Sequence, residues 1–369
     1  MALLSEGQVV RGTYEVERFL GEGAFAEVFR VKHRFLGRQA MKVLKATGMT
    51  VSEIERYLEE AIILSRVGHP NIVRVFDANV TETSKGICGF FTMEYVAGGS
   101  LEQFWRSFGR NFVPVETAVE VLRQVCRGLA VAHSESPPII HRDIKPQNIL
   151  VGYDGTGLRV RVSDFGLAKR VNPLTLMATS MGTRCFKPPE VFATEKGDSR
   201  AADVWALGST LYLLLTDRLP FSATGDMDAF DMAAFSRPMA PASRFNILVD
   251  ARLNAILSKA LALEPNVRYQ SAGELLEALA EWTPSSPAPK ELSSKERLST
   301  RMAKSALGEH SPGSFSAAEA MARDALTLAR DSGRLSEAAD LMEEAFNRLP
   351  DLRKQYEQQV KVWRRGIAM

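Results

Sequence analysis

The sequence predicts an α+β protein with a strand-rich lobe, a mainly helical lobe and a small α-helical appendage. Between residues 11 and 96, apolar and polar side chains mostly alternate, which is the period of a half-buried strand. From Gly98 onward, segments typical of helices dominate. After Trp282 a stretch rich in Pro and Ser, typical of a linker, precedes a tail rich in Ala, Leu and Glu.

Composition and charge narrow the class of protein. With 45% hydrophobic and 24% charged residues, the 369-residue chain resembles ordinary soluble globular proteins, and a net charge of +2 argues against a nucleic-acid partner. Three cysteines without a CxxC pair indicate neither a zinc site nor a disulfide framework. The most apolar run, 204–215, is shorter than the roughly 18 residues of a membrane span. We therefore expect a cytoplasmic protein with no membrane span.

The strand-rich lobe is predicted to contain one helix among its strands. Alternation predicts strands at 14–20, 26–34, 38–45, 71–80 and 89–96. Residues 51–66 change to helical spacing, which places Ile54, Leu58, Ala61, Ile62 and Ser65 on one face. In the helical lobe, short strands are expected around 148–151 and 159–163.

A glycine-rich loop lies between the first two strands, in the segment LGEGAFAEVF (20–29). Gly21 and Gly23 have the spacing that lets a backbone approach a phosphate, and Ala26 stands where a third glycine would be. Two unrelated folds use this spacing, but a dinucleotide site needs a helix directly after the loop. Flanking strands favour a hairpin that covers ATP, which requires a lysine on the next strand, here Lys42, and a glutamate on the following helix.

Two further motifs are more specific: HRDIKPQNIL (141–150) and SDFGLAK (163–169). With the glycine loop, Lys42, a Pro-Pro-Glu and DVWALG in this order, the chain from about 13 to 282 resembles eukaryotic-type Ser/Thr protein kinases. The resemblance implies a bilobal protein-kinase domain at 11–283. Its N-lobe (11–96) would be an antiparallel sheet plus one helix, and its C-lobe (97–283) mainly helical. It also implies transfer of the γ-phosphate of ATP to Ser/Thr hydroxyls of proteins.

The resemblance assigns a role to each polar residue of these motifs. Asp143 would align the substrate hydroxyl, and Lys145 would neutralise the transferring phosphate. Asn148 and Asp164 supply oxygen ligands of the kind that Mg²⁺ prefers, with Mn²⁺ as an alternative metal. Lys42 would bind the α- and β-phosphates and pair with Glu60, the family's glutamate nine residues before His69.

The resemblance also implies an adenine pocket. Leu20 and Val28 would cover the base, with Ala40 beside them and Leu150 below. Met93 would close the back of the pocket, and Glu94 and Val96 would offer backbone groups to the adenine edge. These residues are equally suited to an ordinary apolar core.

The segment from Asp164 to Glu190 is expected to regulate activity. Kinases that have an arginine directly before the catalytic aspartate, as Arg142 is here, commonly order this segment by phosphorylation. Thr175, Thr179 and Ser180 are therefore candidate phosphosites. Three residues depart from the family pattern where the peptide binds, which predicts an unusual peptide preference: Arg184, Phe186 and Pro188. Three others match structural positions of the family: Glu190 and Arg268 as a buried ion pair, and Asp203 as a support of the catalytic loop.

The chain after residue 283 is predicted to be a linker (284–313) and a helical tail (314–369). The tail resembles one tetratricopeptide-like hairpin, with Gly333 at the turn, Ala338 and Ala345 on the inner face, and Pro350 at the end. One such unit cannot bury its apolar face alone. Either the following helix covers it, or it docks on the kinase domain, a second copy or a protein partner. This organisation fits a bacterial signalling kinase.

The sequence argues against two other functions. A pseudokinase would have lost at least one of Lys42, Asp143, Asn148 and Asp164, and none is lost. A small-molecule phosphotransferase of related fold generally lacks the Gly-Thr to Pro-Glu segment and the partner of Arg268, both of which are present here.

Overall fold

The structure, a computed structural model, describes most of the chain. The described residues are 2–23, 26–45, 52, 67–109, 112–154, 157–165, 184–193, 198–221, 232–284, 321–322, 324–329, 334–348 and 351–363. They fall into two compact units, 1–284 and 285–369, which are described separately.

A six-stranded antiparallel sheet forms the first lobe, in the order β1-β2-β3-β4-β6-β5. Its strands are β1 (Val9–Val10), β2 (Tyr14–Glu22), β3 (Ala26–His33), β4 (Gly37–Leu44), β5 (Val75–Thr83) and β6 (Gly86–Glu94). All five predicted strands are present, and the predicted helix 51–66 lies outside the described residues apart from Ser52.

The strand predicted at 71–80 begins four residues later than expected. Ile72 forms an isolated bridge with Val162, and the N–H of Val73 donates to the Val162 carbonyl at 2.9 Å. Residues 71–73 therefore bond to the second lobe, and only from the Arg74 carbonyl, which accepts the N–H of Glu94, does the chain bond to β6. The alternation of side chains could not reveal this.

Apolar side chains cover both faces of the sheet. One face forms a cluster with Leu3 and Leu4 from the N-terminal segment. The other carries a cluster of Ala26, Ala40, Leu44, Val73, Phe91 and Met93, with Val28 and Leu150 packed against it. The second cluster is the one that faces the residues of the candidate site.

The second lobe is mainly helical and contains one small hairpin. Its helices are α1 (Leu101–Arg106), α2 (Val115–Ser134), α3 (Pro189–Ala193), α4 (Arg200–Thr216), α5 (Ala251–Ala260) and α6 (Ala272–Ala280). The hairpin pairs β7 (Ile149–Asp154) with β8 (Gly157–Val162). The main core lies around α2, α4 and α6.

Helix α4 contains the most apolar run of the sequence. All residues from Ala201 to Thr216 are buried, so this helix is the centre of the second lobe, as expected of a helix that is apolar all round. Among the described residues, we find no helix with the length and apolar character that crossing a membrane requires.

The second unit has an apolar core of its own. Helices α7 (Leu335–Arg348) and α8 (Asp351–Trp363) pack with helical residues at 321–322 and 324–328. Ala338 and Ala345 are fully buried in this core, and α8 contributes Leu352, Val360 and Trp363. Helix α8 therefore packs against the apolar face of α7. Gly333 and Pro350 lie outside the described residues.

Candidate active site

The loop between α2 and β7 is built around the buried carboxylate of Asp203 on α4. Asp203 accepts hydrogen bonds from the N–H groups of His141 (2.8 Å) and Arg142 (2.9 Å). The ring of His133 on α2 lies 3.0 Å from the same carboxylate and accepts the N–H of Ala272 through Nδ1 at 3.1 Å. His133 therefore accepts at Nδ1 and donates to Asp203 through Nε2. These bonds fix the backbone directly before Asp143.

Burial and hydrogen bonds set the ionisation of this network. Burial by itself would raise the pKa of Asp203, but the hydrogen bond from His133 and the contacts with His141 outweigh it and hold the pKa below its ordinary value. Burial lowers the pKa of His141 despite the nearby carboxylates. His141 accepts the N–H of Asp143 at Nδ1 and faces the carbonyl of Ser163 at 2.9 Å through Nε2. It is therefore a neutral residue that supports the loop.

Three predicted catalytic residues meet at the end of this loop. The Lys145 ammonium lies 2.9 Å from Oδ2 of Asp143. The amide nitrogen of Asn148 donates to the same Oδ2 at 2.9 Å and to the Asp143 carbonyl at 2.8 Å. Asn148 belongs to a short 3-10 helix, Pro146–Asn148, that brings it back toward Asp143. Because both of these bonds use the amide nitrogen, the Asn148 oxygen is the atom suited to bind a cation.

Asp164 joins the two lobes through Lys42. Nζ of Lys42 on β4 lies 2.6 Å from Oδ1 of Asp164, just after β8. Burial would raise the pKa of Asp164, but the charge and hydrogen bond of Lys42 hold it below its ordinary value. Phe165 is buried, with its ring centroid 4.5 Å from that of His141. Asp164 therefore stays ionised beside a cation. The predicted partner of Lys42, Glu60, lies outside the described residues.

Four of the predicted adenine residues belong to one apolar cluster or pack against it. Ala40 and Met93 are buried in it, and Val28 and Leu150 pack against it, so that β3, β4, β6 and β7 all contribute. Leu20 is exposed at the end of β2, on the approach to the glycine loop. Flat apolar walls of this kind suit a heterocyclic base.

The segment after β6 connects the lobes beside this cluster. The N–H of Glu94 donates to the Arg74 carbonyl at 2.9 Å, and its carboxylate lies 2.9 Å from Nε of Arg161 on β8. A Cβ atom at Gly98 would overlap the Val151 carbonyl oxygen, so only glycine allows the chain this close to β7. Val96 also lies close to β7, because a Cβ atom added at Gly152 would be 3.1 Å from Cγ1 of Val96.

The glycine loop is a hairpin between two strands, as predicted. Gly21 is opposite Val28 and Glu22 is opposite Glu27 in the β2–β3 ladder. The N–H of Gly23 donates to the carbonyl of Ala26 at 2.8 Å. The dinucleotide alternative, which needs a helix at Ala26, is excluded.

Comparisons with known proteins agree with this geometry. The protein kinase domain family matches residues 14–281. This chain belongs to the protein kinase family. Its sequence is 34% identical over 294 residues to serine/threonine-protein kinase PknB of Mycobacterium tuberculosis, covering 78% of the chain and 46% of that relative. It is 34% identical over 301 residues to PknJ of Mycobacterium bovis, covering 78% and 49%. The chain thus spans less than half the length of these curated relatives.

Solved structures of a kinase domain have the same fold. Two structures of the PknI kinase domain of Mycobacterium tuberculosis match with TM-scores of 0.55 and 0.56 and sequence identities of 29% and 28%. They cover 75% of this chain and 99% and 98% of the PknI chains. The predicted bilobal protein-kinase fold is confirmed.

In the segment from Asp164 to Glu190, the structure describes Asp164 and Phe165 and then the residues from Arg184 onward. The candidate phosphosites Thr175, Thr179 and Ser180 lie outside the described residues. Phe186, one of the departures from the family pattern, is buried in the core. Arg268 is fully buried and binds both oxygens of Glu190, at 2.6 and 2.8 Å, which ties this segment to the second lobe.

Sequence reasoning missed two contacts of Arg142. Its Nε lies 3.0 Å from Oδ2 of Asp198, although the N–H does not point along a hydrogen bond. Its carbonyl accepts a hydrogen bond from Lys187. Asp198 directly precedes Ser199, the N-cap of α4, but nothing in that pattern relates it to a residue 56 positions earlier.

Proposed function

We propose that this chain is an ATP- and divalent-metal-dependent protein Ser/Thr kinase that transfers the γ-phosphate to hydroxyls of protein substrates. One observation carries the proposal. Asp143, Lys145 and Asn148 form one polar cluster, and the Lys42–Asp164 pair supplies the groups that bind the phosphates and the metal. Phosphoryl transfer requires positioning and charge neutralisation, and these residues provide both. The printed names of PknB and PknJ as serine/threonine-protein kinases agree with the proposal.

The residues present fit ATP and a metal ion. Carboxylate and amide oxygens from Asp164 and Asn148 are hard ligands, and the apolar walls around Ala40 and Met93 suit a base. When bound, ATP supplies the phosphoryl group and the metal neutralises its charge. We propose Mg²⁺ as the metal, with Mn²⁺ as the alternative. We also propose the full adenine set: Leu20, Val28, Ala40, Met93, Glu94, Val96 and Leu150.

The chain's own residues would act as follows. Asp143 would accept the hydrogen bond of the substrate hydroxyl and align its oxygen for attack. Lys145, 2.9 Å from Asp143, would neutralise the charge that moves toward the acceptor. Lys42 would bind phosphate oxygens, held by Glu60 and by the low-pKa carboxylate of Asp164. Gly21 and Gly23 would let the hairpin backbone approach the phosphates.

Regulation by autophosphorylation is part of the proposal. Thr175, Thr179 and Ser180 are the candidates, and Arg142 would bind the phosphate. Asp198 already lies 3.0 Å from the Arg142 guanidinium, so the phosphate would share or replace this contact.

We further propose domain boundaries of 11–283 for the kinase domain, with lobes 11–96 and 97–283, a linker at 284–313 and a tetratricopeptide-like tail at 314–369. The buried positions of Ala338 and Ala345 support the tail. The tail would serve a protein partner or self-association, in a cytoplasmic bacterial signalling kinase.

The test is incubation of the full chain with labelled ATP and Mg²⁺ and a generic basic protein. We expect labelling by the wild type, and a loss of about 10²-fold or more in Asp143→Ala and Lys42→Ala. Arg252→Ala, which removes an exposed ion pair on α5, should leave the rate unchanged. Mass spectrometry of the same sample should find phosphate between residues 170 and 182.

The alternatives give different outcomes. A wild-type chain that binds ATP but labels neither itself nor the added protein would contradict the proposal and indicate a pseudokinase. Labelling of small molecules alone would indicate a phosphotransferase of another substrate class.

A further inference from the structure

Lys45 reaches from the end of β4 to the tip of the glycine hairpin. It follows Leu44, which is opposite Ala26 at the start of β3. Its ammonium passes this strand and lies 3.0 Å from the carbonyl oxygen of Gly23 and 3.4 Å from a carboxylate oxygen of Glu22. One side chain thus connects the end of β4 to the arm of the hairpin that β2 forms, on the far side of β3.

This contact completes the bonding of Gly23. The N–H of Gly23 donates to Ala26 at 2.8 Å, and its carbonyl accepts from Lys45, so both polar groups of its backbone are held. The other arm is fixed at Glu27, a buried residue whose carboxylate accepts the N–H of Leu3 at 2.7 Å. Each arm of the hairpin is therefore held by a side-chain hydrogen bond in addition to the bonds between the strands. The one made by Lys45 comes from a positively charged group.

We infer that Lys45 is a positioning residue for nucleotide phosphates, acting through Gly23. The inference rests on the proposed function, in which this hairpin covers the phosphates. A loop that is already held in place loses less conformational freedom when it binds, which strengthens binding. Glycine gives a turn more conformational freedom than other residues do. A charge-assisted hydrogen bond is stronger than a neutral one, so the bond from Lys45 can restrict this freedom. The ammonium also adds positive potential at the mouth of the site.

The inference predicts different effects on the binding of the phosphates and on the binding of the base. The adenine walls, formed by Ala40, Met93 and Leu150, belong to a cluster that does not include Lys45. Loss of the Lys45 contact should therefore weaken ligands that carry phosphates and leave adenosine binding unchanged. A general loss of structure in the lobe would weaken both.

The experiment is calorimetric titration of the full chain with Mg-ATP and, separately, with adenosine. In Lys45→Ala we expect the Kd for Mg-ATP to rise about fivefold, because the variant loses the partly exposed, charge-assisted hydrogen bond from the Lys45 ammonium to the Gly23 carbonyl. The Kd for adenosine should stay within about twofold. Lys45→Arg, which keeps the charge and the donors, should restore most of the affinity. Lys32→Ala is the matched control, because Lys32 is an exposed lysine opposite Glu15, at the other end of the same hairpin.

Three results of these titrations would overturn the inference. Unchanged Mg-ATP binding in Lys45→Ala would do so, as would an equal loss of adenosine binding or an equal effect of Lys32→Ala. If the wild type itself binds no Mg-ATP, the proposed function fails and this inference with it. If the wild type binds Mg-ATP without transferring phosphate, only the catalytic proposal fails, and the titrations still decide the role of Lys45.

Discussion

At the scale of single residues, the candidate site contains two residues in a backbone conformation that residues other than glycine rarely adopt. Arg142 and Asp164 both have a left-handed backbone, with φ of 68° and 61°. Such a conformation costs on the order of 1–3 kcal/mol and persists only where the surroundings hold it. The surroundings are visible: Asp203 binds the Arg142 N–H, and Lys42 binds the Asp164 carboxylate. The strain therefore lies at the two residues that flank the proposed chemistry.

A prediction at this scale concerns His141 and pH. Burial lowers its pKa, so the folded protein keeps it neutral where the unfolded imidazole, with a pKa of about 6.5, takes up a proton. Its contribution to stability is complete above that pH and is lost as the pH falls toward the folded-state pKa. We expect the free energy of unfolding, measured with urea, to fall from pH 7 to pH 5, and to fall less steeply in His141→Phe.

The same comparison has an internal control. The pKa of His69 is also lowered, by burial and by the nearby Arg127, so part of the slope should remain in the variant. His141→Phe should be less stable at every pH, because it leaves the Ser163 carbonyl and the Asp143 N–H without their ring partner. An unchanged slope would refute the assignment.

At the scale of elements, helix packing determines which helical glycines can be replaced by alanine without a loss of stability. Gly208 lies in the middle of α4, where a Cβ atom would be 3.0 Å from Cβ of Ala260 and 3.1 Å from Cγ of Leu261. Both neighbours are buried and belong to the α5 region, so they have little room to move. Gly273, near the start of α6, has ordinary distances of 3.5 Å to Ser271 Oγ and 3.9 Å to Ala130 Cβ.

These distances predict opposite effects of one substitution. Alanine is favoured over glycine in a helix by about 1 kcal/mol, but overpacking costs about 1–3 kcal/mol. We expect Gly208→Ala to lower the free energy of unfolding by about 1 kcal/mol, and Gly273→Ala to raise it by a few tenths to about 1 kcal/mol, measured with urea. Stabilisation by Gly208→Ala would mean that α4 and α5 can separate without cost.

At the scale of the whole molecule, the chain contains two units with separate cores. One core lies around α2, α4 and α6 and includes Trp282, whose indole N–H donates to Asp250 at 3.0 Å. The other is formed by the helices of residues 321–363 and includes the buried Trp363. Among the described residues, none belongs to both cores, so each unit has its own source of stability.

This separation predicts two independent effects in calorimetry. Trp363→Ala should cost the second unit about 3–5 kcal/mol and lower the Tm of its transition, while the transition of the kinase domain stays unchanged. Trp282→Ala should do the reverse. A single transition that shifts in both variants would show that the two units unfold together.

The sequence alone predicted much of the fold and most residues of the candidate site. The alternation of apolar and polar residues located the strands, although β4 and β6 are buried on both faces. The strands on both sides of Gly21 and Gly23 excluded a dinucleotide loop. The alternation misplaced the start of β5, because Ile72 and Val73 bond to Val162 in the other lobe. It gave no signal for Lys45 or Asp198, since their contacts join segments whose separation no local pattern encodes.

What the sequence determined by itself is the set of chemical groups: Lys42, Asp143, Lys145, Asn148 and Asp164 have the order and spacing of a kinase whatever their positions in space. The tertiary structure decided which of them meet. Only the way the two lobes come together brings Lys42 on β4 within 2.6 Å of Asp164, which follows β8, and only the burial of Asp203 in α4 orients the backbone before Asp143. The physical reason is that residue types follow from local spacing, whereas hydrogen bonds between distant segments depend on how the whole core closes.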